Sequence, residues 1–234
     1  MTPDPTRLVL VAHGTTRAPA RTVVGTIVAD VRRLLPEVEV RLAHVDVQSP
    51  ALAQVLAESH AARRRAVIVP LLLSAGFHVE VDIAAAVDPA LDVVTPTLAG
   101  DPLLVELALA RLADAGGIDP DALVVAAAGS SRESARDQVH RFAAEVATAT
   151  GRRTTVGWVA GDAPDLDAVV VAAGPGRVGV VSYLLAPGVF AERARDLGAA
   201  AGAVAVGAAL GPDPRLAAIV ARRWRTAVTD RLEC

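Results

Sequence analysis

The chain states one pattern twice, and this repeat restricts the fold more than any other feature. Leu8-Val-Leu-Val-Ala-His13-Gly14-Thr-Thr-Arg17 answers to Leu123-Val-Val-Ala-Ala-Ala128-Gly129-Ser-Ser-Arg132. Val67-Ile-Val-Pro-Leu-Leu-Leu-Ser-Ala-Gly76-Phe77-His78 answers to Gly179-Val-Val-Ser-Tyr-Leu-Leu-Ala-Pro-Gly188-Val189-Phe190. Gly100-Asp101-Pro102 answers to Pro212-Asp213-Pro214. The offsets are 128 − 13 = 115, 190 − 78 = 112 and 213 − 101 = 112, so the register drifts by only a few residues. Two tandem domains are expected, 1–117 and 118–234, each of small but ordinary size. Where the first copy has histidine, the second has a residue that can neither carry a proton nor bind a metal.

Within each copy the hydrophobic pattern predicts βαβαβαβα. In the first half, residues 8–12 form a short apolar run. Val24, Ile27, Val28, Val31 and Leu35 then recur at helical spacing over 20–35, and Pro36 ends the helix. Residues 38–45 alternate as a strand. Ser49 is read as the N-cap of the next helix, with Pro50 at its first position. Residues 66–73 are apolar without interruption, as a strand covered on both faces of a parallel sheet would be. A short helix is expected over 82–87, a fourth strand over 91–96, and a last helix capped by Asp101-Pro102. The second half has strands over 123–127, 154–159, 178–185 and 203–206. Residues 166–173 contain three consecutive valines, yet their counterpart is the Leu52 helix, so they too are read as a helix. The fold class is therefore α/β: two repeated domains, each a four-stranded parallel sheet with helices on both faces. The segment 114–121 is the linker, rich in turn residues.

Composition removes several functions. All 23 basic side chains are arginine, which excludes a Schiff-base lysine and a phosphate-loop lysine. Aromatics make up 3% of the chain, so the cores must be built from Val, Leu and Ala. The net charge of −3 gives no electrostatic reason to expect nucleic acid as a partner. The single Cys234 can form neither an internal disulfide nor a thiolate metal site, which suits a reducing cytoplasm. No secretory signal and no membrane-spanning stretch is expected, and the localisation read from this is cytoplasmic.

The chemistry gathers at two histidines. His13 and His78 each fall just past the carboxyl end of a predicted parallel strand, the edge at which open α/β sheets bind ligands. Each adjoins a glycine-containing turn, Gly14-Thr15 and Gly76-Phe77, where backbone can come close to a ligand. A lone histidine in such a loop is more often a hydrogen-bonding residue than a catalyst. Here both are replaced in an otherwise matched copy, so they serve something other than the fold both halves share. Asp46 ends the second strand, and Ala160 stands opposite it. Taken alone, Asp46 is also a reasonable helix-approach residue. His44 is read as a partly buried strand residue, and Glu80, matched by Glu192, as structural. Asp82 is read as an N-cap, His60 and His140 as solvated helix residues, and Arg63, Arg64 and Arg65 as a solvated helix end. Arg17 and Arg132 match each other and are read as turn residues or as contacts for acidic groups.

Together, His13-Gly14-Thr15, the segment from Asp46 to Ser49-Pro50, and Val69-Pro-Leu-Leu-Leu through Gly76-Phe77-His78 to Asp82-Ile83 resemble the class II tetrapyrrole chelatases. The similarity is greatest to the sirohydrochlorin cobalto- and ferrochelatases of siroheme and cobalamin synthesis. It covers the first half strongly and the second as a degenerate repeat, as in the fused, two-domain form. The resemblance implies an enzyme that inserts a divalent metal into sirohydrochlorin without ATP. The family's two active-site histidines fall on His13 and His78, as metal and proton handlers, and its acidic partner, usually Glu, falls on Asp46. Asp is one methylene shorter. The His-Gly-Thr-Thr-Arg run also departs from the commoner His-Gly-Ser-Arg and shifts Arg17 by one. Gly14, Thr15, Gly76 and Phe77 are the expected ligand-contacting positions. No permanently bound cofactor is expected; Fe2+, Co2+ or Ni2+ enters as substrate, and nitrogen and oxygen donors suit those ions. The expected partners are sirohydrochlorin and the metal, with neither nucleic acid nor membrane. The expected assembly is a monomer of pseudo-dimeric domains or a weak homo-oligomer. The alternative reading is a non-catalytic tetrapyrrole or metal carrier on the same fold.

Overall fold

The structure, a computed structural model, describes residues 6–74, 77–116, 119–161 and 164–232, with only the backbone of 77–80 and 231–232. Gly76, the middle of the linker and Cys234 lie outside the described residues. The first half runs β1 (Thr6–Ala12), α1 (Ala18–Leu34), β2 (Val40–His44), α2 (Leu52–Ala61), β3 (Arg65–Pro70), α3 (Phe77–Ala86), β4 (Asp92–Val94) and α4 (Pro102–Asp114). The second runs β5 (Ala122–Ala127), α5 (Glu133–Thr150), β6 (Arg153–Trp158), α6 (Leu166–Ala172), β7 (Val178–Tyr183), α7 (Val189–Ala200), β8 (Ala205–Val206) and α8 (Pro214–Leu232). The strand orders are β2-β1-β3-β4 and β6-β5-β7-β8, with every pair parallel. This is the expected α/β class with two four-stranded parallel sheets.

Both faces of each sheet are covered, which is why β1 from Leu8 onward and all of β5 are apolar. On one face of the first sheet Val9, Val11, Ala43, Ala66 and Ile68 pack with Leu52, Val55 and Leu56 of α2 and Ile83 of α3. In the second, Val124, Ala126 and Val180 pack with Leu166, Val169 and Val170 of α6 and Ala194 of α7. The valine-rich segment is thus a helix. Leu166, Val169 and Val170 are buried at helical spacing, while Val171 is 68% exposed. Packing overrides the strand propensity of its β-branched residues.

Several boundaries differ from the sequence reading by a few residues, and three of them bear on the site. Helix α2 starts at Leu52 with Ala51 as its N-cap, so Ser49 does not cap it and Pro50 is not its first residue. The Pro50 carbonyl accepts the His44 N–H at 3.0 Å and Ala51 bridges to His44, which holds this stretch extended along β2. Strand β3 stops at Pro70, although Leu71 N–H still donates to Val11 O of β1 at 2.8 Å. Helix α3 begins at Phe77, so His78 lies in its first turn rather than in a loop before it.

The repeats are consecutive in sequence, but the packed units exchange their last helix. One unit comprises Met1–Leu98 with Pro212–Cys234, and the other is Ala99–Gly211. Helix α8 therefore packs on α1 and β3, and α4 packs on β7 and α5. Each presents the same kind of buried stripe: Leu104, Leu107 and Leu112 in α4, Leu216, Ile219 and Val220 in α8. Each fully buried leucine contributes roughly 1.5–3 kcal/mol. Both helices start on an aspartate that accepts the second amide beyond it, Asp101 from Leu103 at 3.1 Å and Asp213 from Arg215 at 3.0 Å. Because Asp101 is 4% exposed, water cannot replace its side chain at that helix end. Asp101→Ala is expected to cost about 1 kcal/mol or more, read as a shift of the denaturant midpoint.

Candidate active site

The candidate site is built where β1 and β2 end. Their pairing runs past both strands: Val45 N–H donates to Ala12 O at 3.0 Å, and Asp46 N–H donates to His13 O at 2.9 Å. His13 is thereby anchored through its backbone while its side chain stands exposed at the carboxyl edge of the sheet. Gly14 follows with φ +102°, and a Cβ built there would lie 1.9 Å from the Asp46 carbonyl oxygen. Glycine is required both for that backbone conformation and for the closeness of the two loops.

The turn is then closed by side chains. Thr15 N–H donates to Gln48 Oε1 at 2.8 Å, which ties the loop after β1 to the loop after β2. Thr15 Oγ1 accepts from Arg17 N–H at 3.1 Å, and Arg17 is the N-cap of α1. Arg17 thus helps to form the turn, as the sequence suggested. Asp46 is exposed, and its Oδ1 accepts from Val47 N–H at 2.7 Å. Gln48 N–H donates to the Asp46 carbonyl at 2.7 Å across Val47, whose φ is +64°. Phe77 and His78 follow the carboxyl end of β3, the strand beside β1.

Three features of this scaffold recur in the second half without its chemistry. Val159 N–H donates to Ala127 O at 2.8 Å, Gly129 has φ +100°, and Ser130 Oγ accepts from Arg132 N–H at 3.2 Å. In the slots of His13 and Asp46 stand Ala128 and Ala160. The structure therefore brings His13, Gly14, Thr15 and Asp46 together and adds Val47 and Gln48, which sequence reasoning did not single out. A residue bridging two loops through its amide has no sequence signature. Val47 had one, since the repeat sets it against Gly161.

His44 is more enclosed than the sequence suggested. It is 5% exposed, its Nδ1 has no hydrogen-bond partner, and its slot in the second half holds the buried Trp158. Burial lowers its pKa below the ordinary 6.5, with the Pro50 backbone acting in the opposite direction. His60, expected to be solvated, instead places Nε2 3.0 Å from Oδ1 of the buried Asp92. It ties the end of α2 to β4. His140 packs edge-on to Trp158 at 6.0 Å between ring centroids. Among the described residues no three His, Cys, Asp or Glu side chains cluster to hold an ion, and no helix is long and apolar enough to cross a membrane.

Comparison with known proteins places this architecture. A sequence profile of the CbiX family matches residues 7–115 and again 122–227. The chain belongs to the CbiX family. The two CbiX segments are the two repeats, and the class II chelatase resemblance read from His13, Asp46 and His78 is thereby established at family level. SirB from Bacillus subtilis, in a structure with Fe3+, superposes with a TM-score of 0.78 at 18% identity, covering 94% of each chain. The sirohydrochlorin chelatase SirB from Bacillus subtilis subspecies spizizenii, in complex with cobalt, gives 0.74 at 19% identity over 94% of each chain. A CbiX described as the terminal enzyme for biosynthesis of siroheme in denitrifying bacteria gives 0.67 at 26% identity, covering 94% of this chain and 99% of that one. No curated protein sequence matches.

Two outcomes follow for this CbiX chain. Gly14→Ala forces a Cβ against the Asp46 carbonyl and a left-handed backbone onto alanine. It is expected to lower unfolding stability by about 2 kcal/mol or more, measured by denaturant titration. The second concerns His44. Its folded pKa is lowered, so the stability carried by the neutral buried ring is full above the unfolded value of 6.5 and lost as pH falls through the folded one. Below pH 6.5, wild-type stability should therefore fall more steeply with decreasing pH than that of His44→Asn, as read from denaturant midpoints at a series of pH values.

Proposed function

We propose that this chain is a sirohydrochlorin chelatase, inserting Fe2+ or Co2+ into the macrocycle without ATP, in siroheme or cobalamin synthesis. One observation carries the reading. The extended strand pairing, the positive-φ glycine and the hydroxyl-closed turn occur in both halves, and only the first carries His13 and Asp46 beside them. The known activities of its CbiX and SirB relatives support the same reading.

Metal insertion must strip water from the ion and remove two N–H protons from the pyrrole nitrogens as the ion takes their place. An imidazole can do both kinds of work near neutrality. It ligates a borderline divalent ion when neutral, and it accepts a proton at an unperturbed pKa near 6.5. In this reading His13 and His78 pass the ion to the macrocycle and accept the displaced protons. Asp46, hydrogen-bonded to His13 through the main chain, supplies a carboxylate as a further acceptor for a displaced proton. Its Oδ1 is engaged by the Val47 amide, but a carboxylate offers about four lone-pair sites. Gly14 carries no side chain at the turn that the macrocycle approaches, and Thr15, Gly76 and Phe77 are the other positions proposed to contact it. No thiolate is among the donors, which suits an ion that must leave for the ring.

With sirohydrochlorin and Fe2+ or Co2+ under anaerobic conditions, the purified protein should change the pigment's absorption spectrum faster than buffer. His13→Ala should reduce that rate by about 100-fold or more and leave the unfolding midpoint unchanged, because the ring is exposed and the backbone anchors the turn. Acceleration with neither metal, together with tight stoichiometric binding of the pigment, would replace the chelatase reading with a carrier.

A further inference from the structure

Among the described residues, three non-glycine residues have positive φ: Val47, Arg63 and Asp119. Two of them have a local reason. Arg63 directly follows the C-cap of α2, with its N–H bonded to His60 O at 2.9 Å, the usual left-handed exit from a helix. Asp119 is held by Arg152 and Arg177, and aspartate tolerates this region. Val47 has neither excuse. It is β-branched, for which positive φ is a genuine outlier. The Gln48 N–H to Asp46 carbonyl bond makes it the centre of a γ-turn with positive φ, the rare and strained kind. Burial does not compensate, because the side chain is 54% exposed.

The second half shows that the turn does not need this side chain. Gly161 occupies the same position, at an offset of 161 − 47 = 114, with φ +81°. A Cβ there would meet no atom within 4 Å, so glycine is not demanded by crowding either. An exposed, strained, apolar side chain is thus kept only in the copy that also keeps His13 and Asp46. Strain that persists against an easy alternative marks a functional contact. Valine can neither ligate a metal nor move a proton, so its contact must be with the hydrocarbon part of a ligand.

We propose that Val47 is a substrate-positioning residue whose side chain packs on the apolar face of the macrocycle beside His13. This rests on the tetrapyrrole reading above, but on binding alone and not on turnover. Its test is an equilibrium absorbance titration of metal-free sirohydrochlorin into the full chain, with thermal unfolding measured on the same samples. Val47→Gly adopts positive φ freely, and Val47→Asn tolerates it while presenting a polar end. Both variants should unfold at a midpoint no lower than wild type and bind sirohydrochlorin at least fivefold more weakly. Val47→Ile should bind within twofold of wild type, and the binding of Co2+ alone should not change. Undiminished pigment binding by the Gly and Asn variants overturns the proposal, as does a loss of binding that tracks a lowered midpoint. Wild-type protein that binds the pigment without accelerating metal insertion removes the chelatase reading and leaves this one standing. Wild-type protein that binds no pigment removes both.

Discussion

The candidate site depends on how closely two loops approach each other. The β1 and β2 ladder continues beyond its strands through the Ala12 and His13 carbonyls, and the turn from there into α1 passes over the Asp46 carbonyl. Glycine at position 14 permits that approach, and Gln48 then reaches across to hold Thr15. His13 and Asp46 are adjacent because their main chains are bonded, not because their side chains attract each other. Chemistry can therefore be added to or removed from this scaffold without disturbing it, and the second half, with alanine in both slots, is an example of its removal.

The buried layer under the site follows the same logic with a different outcome. His44 lies directly alongside Ala12 in the β1–β2 register, and its counterpart Trp158 lies alongside Ala127. One copy holds an imidazole whose Nδ1 has no hydrogen-bond partner, and the other holds the larger indole of Trp158 at nearly the same depth. Keeping a polar ring in so enclosed a place costs the fold some free energy. The half that carries His13 accepts that cost, while the other half fills the slot with an indole that has no unprotonated ring nitrogen to leave unpaired.

Much of this was legible in the sequence, for identifiable reasons. Parallel strands covered on both faces leave long apolar runs, and duplication doubles every signal. The repeat, rather than propensity, identified α6, where three valines in a row would otherwise argue for a strand. His13 and Asp46 stood out because their counterparts are alanine. What escaped has physical causes too. Ser49-Pro50 has the composition of a helix start, but the pairing of Pro50 and Ala51 with His44 holds it extended. His60 and Asp92 are 32 residues apart, and nothing local connects them. The exchange of α4 and α8 was hidden because both helices carry the same buried stripe and the same aspartate cap, so either suits either sheet.

That exchange bears on how such a chain could have arisen. A polypeptide holding one repeat would carry a fourth helix whose stripe suits its own sheet and that of an identical copy equally. Two identical copies could satisfy each other by trading those helices, in the manner of a domain-swapped pair. Joining the copies head to tail turns a concentration-dependent association into an internal one. Once the partner is always present, one member of the pair is free to lose its reactive groups, provided it goes on supplying the helix that completes the other.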